Sequence, residues 1–239
     1  MDRVFTSKQR PHNDIQVMAI GVGLNDHGGR HVGIFHRDAK AGAVFFLHLA
    51  FHLECRNESP DPSYISYLSI DPLVHRRRLP HIAAKFRLVW NANGKFVPYG
   101  LSDASDFFDP VTGKYLLGPT RYGLTCSSFV VAGFRLAGFR LLNEPTLPPM
   151  RPGDAEWKQS MTALLRKVKA SDEHIKRFED DNPFLRLRPE DVAAASLIAP
   201  LPAAFEQIAP VSVEILKLLG VTPPPQPVPP VITTPPSSS

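Results

Sequence analysis

The sequence predicts an α+β fold: a small antiparallel sheet packed against one central helix, with further helices after it. Two patterns carry that expectation. Before residue 71, apolar runs rich in aromatic and β-branched residues are parted by short turns bearing Gly, Asn and Asp, the signature of hairpin-joined strands. Between 154 and 219, segments with acidic first turns and helix-spaced apolar positions take over. Strands followed by helices, rather than strands alternating with helices, point to α+β. A chain of 239 residues with 43% hydrophobic content is long enough for a sizeable core.

Taken in order, residues 15–22 (IQVMAIGV) read as a buried strand ending at Gly23. A polar turn over 25–29 leads into 31–36 (HVGIFH), and a second turn over 38–42 precedes 43–54 (AVFFLHLAFHLE). These two runs read as an antiparallel hairpin. Residues 64–70 suggest a third strand. Asp71 followed by Pro72 resembles a helix cap with Pro at the first helical position, opening a helix to about 91. Pro80 inside that stretch should kink or divide it. After Asn93-Gly94 comes a turn-rich polar segment, 95–119. Phe129, Val130, Phe134 and Ala137 then fall at helical spacing, which puts Cys126 at or near a helix start. Residues 143–153 hold four prolines and read as a connector. Helices follow over 154–170, 172–180, 189–198 and 211–219. The organisation expected is therefore a domain over 1–142, a helical extension over 143–220 packed on it, and a disordered tail over 221–239. Eight of the 25 prolines sit in that tail. Its composition is that of a linker end, and polyproline is also a ready ligand for aromatic grooves, so the tail has a possible partner.

Composition excludes several classes. No run approaches the length of a membrane span. The net charge of +4 is spread out, with only Arg76, Arg77 and Arg78 forming a compact run, so no nucleic-acid partner is expected. No apolar stretch follows the basic residues of the N-terminus, which makes the cytoplasm the default location, with signal-independent export as an effector the alternative. No Walker loop or dinucleotide fingerprint is present, and no cofactor is expected.

Three residues carry the candidate chemistry. A thiol in the first helical turn feels the positive end of the helix dipole, which favours thiolate, and the free N–H groups there can donate to an oxyanion. Cys126 has that position, with small Ser127 and Ser128 beside it. The plain alternative is a buried free cysteine acting as a small hydrophobe. His31 shares a strand face with Gly33, whose missing side chain gives the ring room. His48 lies in the apolar run Phe46-Leu47-His48-Leu49 and needs a polar partner if buried. Pairing of the hairpin brings His31 and His48 together in the base-and-orienter pattern found behind nucleophiles. His52 has the same strand parity as His48 and competes with it. The i, i+4 spacing of His48 and His52 also suits two zinc ligands on a helix, but Leu49 stands where such motifs carry Glu and the segment favours strand. Cys55 ends the second run and has no expected role.

Together these pieces resemble the NlpC-type, papain-like cysteine hydrolases. Thr125-Cys126-Ser127-Ser128 resembles their helix-start nucleophile, His31-Val32-Gly33-Ile34-Phe35 their histidine strand, and Phe46-Leu47-His48 the strand bearing a third polar residue. Here the histidines precede the cysteine, the order of the circularly permuted branch that includes lecithin retinol acyltransferase-like proteins and bacterial relatives. Tyr122 resembles a tyrosine the family often keeps ahead of its nucleophile, and Thr125 stands where secreted members commonly have Asp. The resemblance implies a Cys126–His31–His48 triad, with Tyr122 and Ser127 near the substrate. It further implies hydrolysis of an amide or peptide bond, a cell-wall peptide being the best single substrate. Thioester or lipid acyl transfer, and a non-catalytic binding module on the same scaffold, are the alternatives. The enzyme reading expects Cys126 Sγ within reach of a His31 ring nitrogen beside an open cleft. A thiol sealed in apolar packing, or a histidine pair facing away, favours the binding module.

Overall fold

Near-continuous apolar runs at residues 18–22 and 32–35 are explained by a sheet buried on both faces. A computed structural model describes residues 2–25, 28–60, 65–101, 106–118 and 123–222, without the side chains of 65 and 66. Its strands are β1 (Val4–Thr6), β2 (Met18–Asn25), β3 (Arg30–Arg37), β4 (Val44–Phe51), β5 (Glu54–Glu58) and β6 (Ile65–Ile70). They form one six-stranded antiparallel sheet in the order β1-β6-β2-β3-β4-β5. Six α-helices are described: α1 (Leu79–Asn93), α2 (Cys126–Leu136), α3 (Asp154–Lys167), α4 (Asp172–Asp180), α5 (Pro189–Ala195) and α6 (Phe205–Leu218). The fold is α+β. None of the helices among the described residues is long and apolar enough to cross a membrane.

Side-chain alternation sorts the two faces of the sheet. Ile20, Val22, Val32, Ile34, Leu47 and Leu49 join Phe86 of α1 and Phe129, Val130 and Phe134 of α2 in the main core. On the opposite face Ala19, Phe35, Phe46 and Tyr67 gather with Ile15 and Val44 in a second cluster, over which the His12 ring stacks on Phe35 at 4.5 Å. Helix α2 packs on β3 and β4, and α5 packs on β2, β3 and α2. Three consecutive fully buried alanines, Ala193, Ala194 and Ala195, let α5 approach that closely.

The polar counterpart of that packing is a buried ionic cluster. Arg30 at the start of β3 pairs with Glu190 of α5. Arg151 meets Asp191 at 2.7 Å, and Asp154 accepts from Arg186 at 3.1 Å and Arg188 at 2.9 Å. Seven charged groups are thus removed from water together, which is tolerable only because each has a partner of opposite sign.

Several expectations need correction. The helix expected from Asp71 starts at Leu79, after a single 3₁₀ turn over Arg76–Arg78. Pro80 therefore lies in the first turn of α1, where its missing N–H costs nothing, and it does not kink the helix. The run 43–54 is two strands, not one. Leu53 takes a left-handed conformation (φ 60°) and turns the chain from β4 into β5. Cys55 therefore lies within β5, paired with Leu49. The last helix begins at Phe205 and carries Pro210 inside it, so that proline is not its start. The sheet is also larger than expected, because the edge strands β1 and β5 are too short or too polar to announce themselves. The Pro-rich tail from 223 onward lies outside the described residues.

Candidate active site

The site is assembled at the end of the sheet where β3 begins. Strands β2 and β3 pair with Gly21 opposite Gly33 and Gly23 opposite His31. A Cβ at Gly33 would lie 2.7 Å from His48 Cβ, 2.8 Å from Leu47 O and 2.6 Å from Phe46 Cζ. Only glycine permits β4 to come this close, and the approach is what sets His48 beside His31. Their rings meet edge to face with centroids 4.8 Å apart, and His31 Nε2 is 2.7 Å from His48 Nδ1. His48 Nε2 in turn donates to Glu58 Oε1 at 3.1 Å. The described side-chain hydrogen bond of His31 is the one made by its Nε2.

Burial holds the His31 imidazole well below its ordinary value, and the neighbouring His48 and Arg56 act in the same direction. His48 is also lowered by burial, against which its hydrogen bond and charge pairing with Glu58 work. Both rings are therefore neutral near pH 7.

Cys126 is the first residue of α2, and a reciprocal cap fixes it there. Ser128 N donates to Thr125 Oγ1 at 3.1 Å while Thr125 N donates to Ser128 Oγ at 2.7 Å. Just upstream, Gly123 and Gly100 bring two backbones into contact, since a Cβ on Gly123 would sit 2.4 Å from Gly100 N. The backbone of Val32, the residue after His31 in the chain, favours the thiolate form of Cys126. The described hydrogen-bond contact of Sγ is with Ser127 Oγ at 4.0 Å.

Two features of this arrangement depart from expectation. First, burial pushes the Cys126 thiol up, and this outweighs the Val32 and Ser127 hydrogen bonds and the charge of Arg186, all of which favour thiolate. The resting group is a thiol, not the thiolate expected at a helix start. Second, none of the described hydrogen bonds joins Sγ to His31. By strand alternation His31 and His48 stand on the Phe46 face of the sheet, whereas Cys126 belongs to the helix-side core. Thiol and imidazole thus reach the first turn of β3 from its two sides.

The competitor histidine is elsewhere. His52 lies in the turn after β4 and packs at a tilt against His174 of α4, centroids 4.7 Å apart. Its Nδ1 accepts the Tyr99 N–H at 3.3 Å, while His174 Nε2 donates to Tyr99 O at 2.8 Å. His48, not His52, is the partner of His31. Ser127 is 1% exposed and its described side-chain contact is with the thiol. Tyr122 lies outside the described residues. Sequence reasoning missed Glu58, which carried no signal while β5 was merged with β4. It also missed Arg186, whose charge favours the thiolate from a segment distant in the chain.

A cavity of about 560 Å³ opens beside the same helix start, between α2 and α4. Thr125, Ser128, Val131, His174, Phe178 and Leu187 are among its walls, while Cys126, His31 and His48 are not. Among the described residues no group of three or more His, Cys, Asp or Glu side chains is placed to hold a metal ion. Comparison with protein-family models, with curated proteins and with solved structures finds no match to this chain.

Proposed function

We propose that the protein is a cysteine-dependent hydrolase of amide or peptide bonds, built as a permuted papain-like domain, with a cell-wall peptide as its best single substrate. One observation carries the reading. Cys126 opens helix α2, which packs on β3, and on the other face of β3 His31 is tied nitrogen to nitrogen to His48 at 2.7 Å. A helix-start thiol and a paired base and orienter therefore meet the same strand from its two faces.

In the reaction, His31 Nδ1 takes the proton from Sγ as sulfur attacks the substrate carbonyl carbon. The Cys126 N–H, a first-turn amide without an intrahelical acceptor, donates to the oxyanion. His31 then gives its proton to the departing amine, leaving an acyl-thioester that water cleaves with His31 again acting as base. Because the resting thiol is neutral and stands across β3 from the histidine pair, the proton transfer from Sγ to His31 requires the start of β3 to rearrange. An acyl acceptor other than water turns the same steps into acyl transfer.

A second reading, a papain-like scaffold used for binding, is favoured by the cavity between α2 and α4, which none of the three candidate residues lines. Mass spectrometry of peptidoglycan fragments and acyl-lipid pools, after incubation with wild type and Cys126→Ala, separates the readings. New fragments or acyl products that vanish in Cys126→Ala support the enzyme; identical profiles, with both proteins folded, leave the binding module. Expression with and without a periplasmic signal tests delivery as an effector, and equal harmlessness in both compartments argues against it.

A further inference from the structure

We infer that Glu58 is a positioning residue whose carboxylate, acting through His48, fixes the tautomer in which His31 can serve as a base. The inference rests on His31 being the base in the proposed reaction, but its primary readout does not.

Strand β5 pairs Glu58 with Phe46 and Arg56 with His48, so Glu58 and Arg56 share the face on which the two histidines stand. A carboxylate can only accept, so the 3.1 Å contact puts a proton on His48 Nε2. A neutral imidazole has one N–H, and His48 Nδ1 must then be an acceptor. The 2.7 Å contact between the rings is consequently donated by His31 Nε2–H. His31 Nδ1 is left with its lone pair, the only atom of that ring free to take a proton from a thiol. Without Glu58 the chain can run the other way, with His48 Nδ1–H donating to His31 Nε2 and the proton of His31 on Nδ1. In that polarity His31 is no base.

The remaining charged groups acting on His48 are Arg56 and Glu54, also on β5, and their own contact is 2.5 Å. Arg56 repels a proton from both histidines, so Glu58 supplies the hydrogen bond that holds the pair in one polarity. The Glu58 side chain is 43% exposed, and a hydrogen bond that open to water adds little to stability. Its consequence is directional rather than structural.

Long-range ¹⁵N–¹H correlation spectra of the imidazole nitrogens read the tautomers directly, in the full chain and in Glu58→Ala and Glu58→Asp. Wild type is expected to show His31 and His48 both protonated on Nε2. Glu58→Ala should populate the Nδ1–H form of His31, with Glu58→Asp restoring the wild-type pattern. Acylation of Cys126 by a small acyl thioester, followed across pH, should slow about tenfold or more near pH 7 in Glu58→Ala, with the melting temperature little changed. A wild-type His31 protonated on Nδ1, or a Glu58→Ala protein with unchanged tautomers, overturns the inference. Unchanged tautomers count against Glu58 alone. If His31→Ala is acylated like wild type, the proposed hydrolase mechanism fails, and the tautomer result still decides the role of Glu58.

Discussion

Two histidine pairs have nearly the same ring spacing, 4.8 Å for His31–His48 and 4.7 Å for His52–His174, yet they are wired for different purposes. In the first pair nitrogen meets nitrogen and the chain ends on a carboxylate. In the second the two rings hold one residue through its two flanking peptide groups, His52 accepting from Tyr99 N–H and His174 donating to Tyr99 C=O. Burial depresses His31 and His52 alike, His52 to about 4, so depressed basicity does not separate the two pairs. What separates them is where the nitrogens point. The two cysteines teach the same lesson. Burial pushes Cys55 up to about 12 with nothing opposing it, whereas at Cys126 two residues' hydrogen bonds and an arginine work against the burial.

The largest expected effect tests the two pairs against each other. His31→Ala should slow acylation of Cys126 by about a hundredfold or more, while His52→Ala leaves the rate close to wild type. Equal losses, followed by stopped-flow labelling, would erase the distinction. Gly33→Ala comes next. A Cβ there meets His48 Cβ at 2.7 Å and Leu47 O at 2.8 Å, so β4 must move away. Urea unfolding should show a loss of about 1–3 kcal/mol, and the His31–His48 bond should lengthen. Thr125→Ala removes half of the reciprocal cap and should cost about 1 kcal/mol in the same assay, leaving the histidine tautomers untouched.

The smallest effect is on pH-dependent stability. A histidine lowered by folding binds its proton more readily in the unfolded chain. Its contribution is therefore full above the ordinary value of 6.5 and is lost as pH falls toward about 4, the folded value for His52. His52→Gln should flatten part of that decline in melting temperature between pH 6.5 and 4. Because His52 is only half-buried, screening by water keeps the change modest. A His52→Gln curve parallel to wild type would show that this pair carries no proton linkage.

The sequence made the candidate residues legible but not their wiring. The pattern His31-Val32-Gly33-Ile34-Phe35 reveals a strand with a glycine gap, and the structure fills that gap with Phe46 and His48. The helix start at Cys126 follows from the spacing of Phe129, Val130 and Phe134, and Asp172–Asp180 from its acidic first turn. The break between β4 and β5 was hidden because Leu53, not glycine, takes the positive φ. With that turn went Glu58. The neutral thiol was hidden too, because the helix dipole is local and readable, whereas the burial that overrides it comes from β3 and other segments far along the chain. Arg186 reaches the site through the buried ionic cluster, whose partners lie on four separate segments.

The most direct test of the central claim is peptide-level mass spectrometry after exposure to a small acyl thioester, comparing wild type with His31→Ala. An acyl adduct is expected on Cys126 and none on Cys55 in wild type, with loss of that adduct in folded His31→Ala. Adducts forming equally on both cysteines, or persisting undiminished without His31, would contradict the claim.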